Sequence, residues 1–311
     1  MQCLSTGETR LIEVPVPSIK PHHLLIRTRA SLVSTGTERM LVEFSKASLF
    51  KKARLQPERI RQVVEKVRTD GFLCAAEAVV SRLRKPLQLG YCNAGVVLEV
   101  GEGVRSFLRG DWVASNGPHA EVVCVPANLC ARIPDRLARL AVADDEVFEA
   151  AAFTPIGAVG LQAVRLAQAA VGEIFAVIGL GLVGQLIVQI LRACGCRVVG
   201  VDLDPRRVAL AEQFGALGVD LHGGQDAVSK AIGLTGGQGV DGVLIAVATE
   251  SDEPIRQAAR MCRRRGRIVL VGKAGLHLHR ECFYEKELSF QVSCSYGPGR
   301  YDAAYEQRGE D

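Results

Sequence analysis

The segment 176–184 constrains the fold of this chain more than any other part of the sequence. It reads AVIGLGLVG, an apolar run that leads into Gly-x-Gly-x-x-Gly and then into a predicted helix. Gly179 allows a tight turn, Gly181 lets the backbone approach a pyrophosphate, and Gly184 lets the helix pack on the strand. Free N–H groups and the dipole at the helix start favour phosphate charge. The segment therefore predicts a dinucleotide-binding turn, with a strand–helix turn that binds nothing as the alternative.

Asp202 follows a second apolar run, 198–201, and is placed to accept hydrogen bonds from the ribose diol of the adenosine half. A 2′-phosphate in the same place would meet the like charge of the carboxylate. The spacing therefore favours NAD over NADP. NADP remains an alternative because Arg206 and Arg207 follow closely, and an arginine there can accommodate a 2′-phosphate.

Composition limits the class of protein and its compartment. The chain has 311 residues, enough for two domains, and its 48% hydrophobic and 23% charged residues are typical of a globular protein. Neither a signal-peptide pattern nor an apolar run of roughly 18 residues is present, and a net charge of +4 is too small to indicate nucleic-acid binding. Ten cysteines without a Cys-x-x-Cys pair indicate reduced thiols. We therefore predict a cytoplasmic protein that binds neither membrane nor nucleic acid.

The first part of the chain is rich in predicted strands separated by glycine and proline, as in a small barrel-like domain. The strands are predicted at 11–17, 24–30, 96–100, 111–114 and 120–125. Apolar residues at helical spacing predict a helical insertion over 39–85, which holds twelve Lys/Arg and five Asp/Glu and therefore a net charge of +7. This charge is typical of a solvated helical face, and a basic lid that attracts an anionic substrate is the alternative.

From about residue 153 the predicted strands and helices alternate. The strands are predicted at 174–178, 197–202, 218–220, 241–246, 267–271 and 288–293, and the helices at 155–170, 182–194, 205–214, 225–233 and 252–263. Such alternation predicts a doubly wound parallel sheet with right-handed crossovers. Ligands of these sheets lie at the carboxyl ends of the strands, where Gly179, Asp202, Ala248 and Gly272 fall.

Three segments together resemble the medium-chain dehydrogenase/reductase superfamily. GEGVRSFLRGDWV at 101–113 is similar to its Gly-x-Gly-Val-x-x-Phe-x-x-Gly-Asp-x-Val pattern, a strand pair over 117–135 follows, and the nucleotide turn comes next in the expected order. The resemblance implies an α/β fold with three parts. These are a GroES-like β-barrel catalytic domain over 1–150 with the helical insertion, a Rossmann NAD(P)-binding domain over 151–295, and a return segment over 296–311, where we expect the chain to be truncated.

The amino-acid sequences of segments 34–40, 90–95 and 295–302 are similar to those of a narrower group, the bi-domain oxidoreductases of bacterial polysaccharide gene neighbourhoods. In that group the dehydrogenase half precedes a second oxidoreductase domain, which would lie outside this chain. The resemblance also implies a sugar-linked small-molecule substrate and a homodimer that pairs through its nucleotide domains.

The sequence departs from the zinc-dependent members of the superfamily at their metal ligands. Thr35 stands where they have a cysteine before Gly-Thr-Asp, and Tyr91 and Cys92 replace the His-Glu of their Gly-His-Glu. The four-cysteine structural zinc lobe is also missing. Zinc needs three or four convergent ligands, so we expect no catalytic zinc here.

By resemblance, the substrate pocket is lined by Thr35, Thr37, Tyr91 and His119. Thr37 occupies the hydroxyl position that relays a proton in relatives, and the Tyr91 phenol replaces a metal ligand and would hydrogen-bond to a carbonyl oxygen. The His119 imidazole would donate or accept the proton, with Glu38 orienting its neighbours. A packed aromatic at Tyr91 and a loop histidine at His119 are the alternatives.

The family resemblance also implies which residues of this chain contact the cofactor. The expected contacts to the pyrophosphate and the adenosine ribose are Gly179, Gly181, Leu182, Val183, Gly184, Asp202 and Arg207. The residues expected to flank the adenine or the nicotinamide are Val247, Ala248, Val271, Gly272 and Ser295.

Together these observations predict a zinc-independent, NAD(H)-dependent oxidoreductase that acts on an alcohol/carbonyl pair. An NADPH-dependent enone or quinone reductase is one alternative. A non-catalytic, dinucleotide-binding regulatory module is another, and it would bind cofactor without turnover.

Overall fold

The computed structural model describes residues 1–3, 6–46, 86–140 and 143–308. The chain divides into two compact units, Met1–Phe153 and Thr154–Asp311. Beyond Lys46, the predicted helical insertion lies outside the described residues.

The first unit is built on a five-stranded antiparallel sheet in the order β4-β1-β2-β3-β5. Its strands are β1 (His23–Ser31), β2 (Asn93–Val100), β3 (Trp112–Ser115), β4 (Val122–Pro126) and β5 (Cys130–Arg132), and its helices are α1 (Thr37–Lys46), α2 (Asp135–Leu140) and α3 (Asp144–Ala151). Buried Leu24, Ile26, Val97, Val113 and Val123 pack together in one hydrophobic cluster. The strands thus bury one set of apolar side chains in a common core, which is typical of a sheet with one packed face.

The predicted strand over 11–17 is wrong, because none of these residues belongs to a strand. Leu11, Val14 and Val16 are all more than half exposed. Pro15 and Pro17 have no N–H to donate to a neighbouring strand, so the apolar alternation is not matched by backbone pairing.

The second unit is built on a six-stranded parallel sheet in the order β11-β10-β9-β6-β7-β8. Its strands are β6 (Ile174–Ile178), β7 (Arg197–Asp202), β8 (Leu217–Asp220), β9 (Val240–Ile245), β10 (Cys262–Leu270) and β11 (Ser289–Val292). Its helices are α4 (Thr154–Leu166), α5 (Leu182–Ala193), α6 (Pro205–Gln213), α7 (Ala227–Leu234), α8 (Glu253–Met261), α9 (Arg280–Tyr284) and α10 (Ala303–Arg308). The predicted doubly wound parallel sheet is confirmed. Its strand order reverses at β6, where such folds bind their ligands.

The central strand β6 shows why the strands of this sheet have continuously apolar sequences. Phe175, Ala176, Val177 and Ile178 are all buried, with successive side chains in the two hydrophobic clusters of the unit. Because helices cover a parallel sheet on both faces, its central strands show no polar alternation.

Strand β10 begins five residues earlier than the predicted 267–271. The pairing with β9 is irregular between Cys262 and Arg267, and Arg265 has a left-handed φ of +60°. The polar run between these residues carries no apolar pattern, so the sequence favoured a longer helix there, which in fact ends at Met261.

Lys286 joins helix α8 to strand β10. Its Nζ donates to the carbonyl oxygens of Ala259, Arg260 and Cys262 at 2.8–2.9 Å. We expect Lys286→Met to lower the free energy of unfolding by about 2 kcal/mol, because three carbonyls at a helix end lose a charged donor. Calorimetric unfolding would measure this. The matched change Lys273→Met, at an exposed residue that pairs with exposed Glu250, should cost less than about 0.5 kcal/mol. Equal losses in the two variants would contradict the prediction.

In the described ranges, no single helix is long and apolar enough to cross a membrane, and only α3 and α4 taken together reach that length and composition.

Candidate functional site

Two glycines of the turn after β6 are required by the protein itself. Gly179 has a φ of +92°, and a Cβ there would lie 2.6 Å from Cγ1 of Val247. A Cβ on Gly184 would overlap the carbonyl oxygen of Gly179. A larger side chain at Gly179 would therefore clash with the segment after β9 in a strained backbone, and one at Gly184 would force helix α5 away from the turn.

Gly181 differs from the other two glycines because, apart from its chain neighbours, no atom of the described residues lies within 4 Å of the Cβ it would carry. Its backbone angles, φ −69° and ψ −170°, suit any L-residue, and no side chain caps helix α5 there. The protein therefore gives no packing or backbone reason for a glycine at this position. The open space and the uncapped N–H groups of Leu182 and Val183 fit a phosphate group, which is the reason the sequence predicted.

Asp202 is the last residue of β7, and its side chain is only 10% exposed. Its Oδ2 accepts a hydrogen bond from Leu180 N at 2.6 Å, and its Oδ1 accepts one from Asp204 N at 2.9 Å. Each carboxylate oxygen can accept two hydrogen bonds, so capacity remains for a ribose diol. The backbone of the glycine turn thus fixes the direction of this carboxylate.

The two arginines after Asp202 both lie near Asp204, and only Arg207 also lies near Asp202. Arg206 makes a bidentate pair with Asp204, through Nε at 3.1 Å and Nη2 at 3.0 Å. The Arg206 side chain lowers the pKa of the Asp204 carboxyl, and Asp204 in turn raises the pKa of Arg206. Arg207 lies with Nη1 3.8 Å from Asp202 Oδ2. Both guanidinium groups thus have carboxylate partners, and they share Asp204.

The other predicted cofactor residues follow the ends of β9, β10 and β11. Ala248 is exposed and bridges to Lys273. A Cβ on Gly272 would overlap the carbonyl oxygen of Val247, so the chains after β9 and β10 approach closely. Val271 donates its N–H to Ile245 O at 2.9 Å. Ser295 has a left-handed φ of +50°.

In the first unit, two of the predicted catalytic hydroxyls meet. The Tyr91 hydroxyl donates to Thr37 Oγ1 at 3.2 Å. Thr37 is the first residue of α1 and is exposed, while Tyr91 immediately precedes the buried Cys92. Thr35 is also exposed, two residues before Thr37. The tyrosine is therefore not packed on all sides, and its phenol carries a polar partner.

His119 has a hydrogen-bond partner on each ring nitrogen. Nε2 lies 3.0 Å from Oε2 of buried Glu38, and Nδ1 lies 3.0 Å from Oγ of exposed Ser31. Glu38 is held in turn by Ser34 N, which donates to Oε1 at 2.8 Å. The carboxylate selects the tautomer with hydrogen on Nε2, so Nδ1 of the neutral ring accepts from Ser31.

This chain of contacts changes the role that the sequence suggested for His119. Both ring nitrogens of His119 are hydrogen-bonded, so the ring can contact a substrate only if one of these bonds breaks. It can exchange a proton with Ser31 without breaking either bond. Sequence reasoning gave Glu38 only an orienting role and missed Ser31. No local pattern could have revealed it, because Ser31 and His119 lie 88 residues apart.

Gly90 makes room for the imidazole ring. It has a φ of +92°, and a Cβ there would lie 2.6 Å from Cγ of His119. The backbone nitrogen of His119 also donates to Leu89 O at 2.8 Å. The segment that carries Tyr91 and the segment that carries His119 are therefore in contact within one unit.

Among the residues that the structure describes, no three His, Cys, Asp or Glu side chains come together as metal ligands. Cys92, the one thiol in the replaced ligand pair, is fully buried. A zinc ion needs three or four nitrogen, sulfur or oxygen ligands. The polar groups described around Tyr91 and His119 are the hydroxyls of Ser31, Thr37 and Tyr91, the His119 imidazole and the Glu38 carboxylate.

Comparison with known proteins gives one family match and several relatives. Residues 183–307 match the model of a family described as zinc-binding dehydrogenases. (R,R)-butanediol dehydrogenase from Bacillus subtilis (strain 168) is 29% identical over 241 residues, 68% of this chain and 66% of that protein. D-guloside 3-dehydrogenase from Escherichia coli (strain K12) is 30% identical over 215 residues, 67% of this chain and 59% of that protein. The chain thus spans less than two thirds of the length of these two relatives.

A solved structure extends the likeness to nearly the whole chain. A protein from Sinorhizobium meliloti 1021, described as a zinc-binding dehydrogenase and solved with NADP bound, aligns with a TM-score of 0.70 at 21% identity. The alignment covers 98% of this chain and 87% of that one. At this level of identity the likeness concerns the fold.

Proposed function

Because this chain belongs to the medium-chain dehydrogenase/reductase superfamily, we propose that it transfers hydride between NAD(H) and an alcohol/carbonyl pair without zinc. The single observation that carries the proposal is Gly181, a glycine with open space around it at an uncapped helix start. A buried acidic side chain, Asp202, lies at the end of the next strand. These features support a bound dinucleotide as the first requirement of the reaction.

Asp202 supports NAD rather than NADP. Its carboxylate is largely buried and fixed by two backbone N–H groups, so it cannot turn away from a 2′-phosphate without losing both bonds. The nearby Arg206 makes a bidentate pair with Asp204, which a 2′-phosphate would have to displace. Both effects favour a free ribose 2′-hydroxyl.

When bound, NAD(H) supplies or accepts the hydride. In the reducing direction, Tyr91 would donate its phenolic proton to the carbonyl oxygen as negative charge develops there. The Thr37 hydroxyl, which accepts from the phenol in the free protein, would turn to donate to the Tyr91 oxygen as that proton leaves. Solvent would return a proton to the Tyr91 oxygen, and His119, bonded to exposed Ser31 and buried Glu38, would be the group that exchanges protons with that solvent. In the oxidising direction each proton moves the opposite way.

The substrate class is part of the proposal. D-guloside 3-dehydrogenase, one of the relatives, is named for action on a sugar derivative, which supports a sugar-linked alcohol here. The free thiols of the buried residues Cys196 and Cys262 also support a reducing compartment such as the cytosol.

Titration calorimetry of the purified chain with NADH and with NADPH tests the cofactor. We expect NADH to bind at least about tenfold more tightly, a difference of about 1.4 kcal/mol. Absence of binding by both cofactors would refute the proposal, and tighter NADPH binding would refute its choice of NAD.

A screen of sugar alcohols with NAD⁺, run with and without a zinc chelator, tests the chemistry. Activity that the chelator abolishes would contradict zinc independence.

A further inference from the structure

Gln185 lies on helix α5, one turn after Gly181, and is 93% buried. Its side-chain Nε2 donates to the carbonyl oxygens of Leu180 at 3.2 Å and Arg207 at 2.8 Å. The first carbonyl belongs to the glycine turn after β6, and the second to the first turn of helix α6. One buried amide therefore joins the phosphate turn to the segment that follows Asp202.

The same two residues also hold Asp202. Leu180 donates its backbone N–H to Oδ2 of Asp202, and Arg207 places its guanidinium 3.8 Å from that same oxygen. Asp202 and Gln185 thus contact the same two residues. Asp202 contacts the Leu180 N–H and the Arg207 guanidinium, and Gln185 contacts the carbonyl oxygens of both. Because the network is closed, the position of each member depends on the others.

The orientation of the amide is fixed by its partners. Both contacts are to carbonyl oxygens, which only the NH₂ end of the side chain can satisfy. The Oε1 atom is buried without a hydrogen-bond partner. An unpaired buried acceptor is unfavourable, so the two donated bonds are the interactions that this residue supplies.

From this geometry we infer that Gln185 determines the choice between NAD and NADP by holding Leu180 and Arg207 around Asp202. The inference rests on the proposed dinucleotide binding. When the bond to its carbonyl is absent, Arg207 gains freedom at the start of α6, and its guanidinium can leave Asp202 for a 2′-phosphate. The Asp202 carboxylate is then also less firmly oriented toward the ribose diol. NADH binding therefore weakens more than NADPH binding.

The test compares Gln185→Met with the matched control Gln189→Met in the full chain. Gln189 lies on the same helix, and its side chain donates only to the carbonyl oxygen of Gln185 at 3.3 Å. Titration calorimetry gives the Kd of NADH and of NADPH for each protein. We expect Gln185→Met to raise the Kd of NADH about tenfold and to change that of NADPH less than about twofold. The control should leave both constants within about twofold of the wild type.

A second variant, Gln185→Glu, keeps the volume of the side chain and removes its NH₂ donor. We expect it to lower the preference for NADH at least as much as Gln185→Met. If wild type prefers NADH and the ratio of the two Kd values stays within about twofold in both variants, the inference is wrong while the proposed function stands. If both variants unfold where Gln189→Met stays folded, Gln185 is structural only and the inference is also wrong. If wild type binds neither cofactor, the proposed function itself fails.

Discussion

Gly181→Val should abolish measurable dinucleotide binding and leave the melting temperature of the protein unchanged. Among the described residues, only the chain neighbours of Gly181 approach the position of the new Cβ, and the backbone angles of Gly181 suit a valine. The added methyl groups would instead occupy the space in which a pyrophosphate meets the start of helix α5. We expect the Kd of NADH to rise about a hundredfold or more, equivalent to about 2.7 kcal/mol.

Gly184→Ala is the matched control, because we expect it to lower the stability of the fold, which Gly181→Val should leave unchanged. Its Cβ would overlap the carbonyl oxygen of Gly179, so the helix must move away from the strand. We expect a loss of about 1–3 kcal/mol of unfolding free energy. Calorimetric unfolding and cofactor titration of both variants would measure the two effects. A Gly181→Val protein that binds NADH like the wild type would show that no phosphate approaches this residue.

The contrast between these glycines marks how far sequence reasoning reaches. The Gly-x-Gly-x-x-Gly spacing predicted the turn, the helix and the adjacent acid, because each depends on residues close together in the chain. The structure separates the three glycines by physical cause. Two are required by contacts inside the protein, whereas nothing in the described residues requires a glycine at Gly181. No spacing rule contains that distinction, since it depends on what lies opposite each Cβ in space.

The parallel sheet was predictable for a related reason. A strand covered on both faces is apolar throughout, so β6 stands out in the sequence without reference to its neighbours. The segment 11–17 carries a similar apolar signal and is nevertheless not a strand. Strand formation there depends on a pairing partner and on N–H donors, and two prolines remove donors that a local pattern does not count.

Long-range polar contacts are the part that the sequence could not supply. The bonds of His119 to Ser31 and Glu38 join residues 88 and 81 positions apart. The Gln185 amide reaches the carbonyl of Arg207 across 22 positions. Such bonds depend on side-chain direction after folding. A histidine or glutamine in the sequence therefore indicates a capacity for hydrogen bonding, and only the fold specifies its partner.

Tyr91→Phe should lower kcat about a hundredfold or more and change KM less than about threefold, because a positioned proton donor contributes roughly 10²–10⁴ to the rate. Phenylalanine keeps the ring and removes only the hydroxyl that contacts Thr37. Steady-state kinetics on the best substrate of the sugar-alcohol screen would measure the effect. Tyr301→Phe, the same change at an exposed residue of the second unit, should leave both constants unaltered. A Tyr91→Phe enzyme with wild-type kcat would assign proton transfer to another group, and loss of binding alone would make Tyr91 a substrate contact.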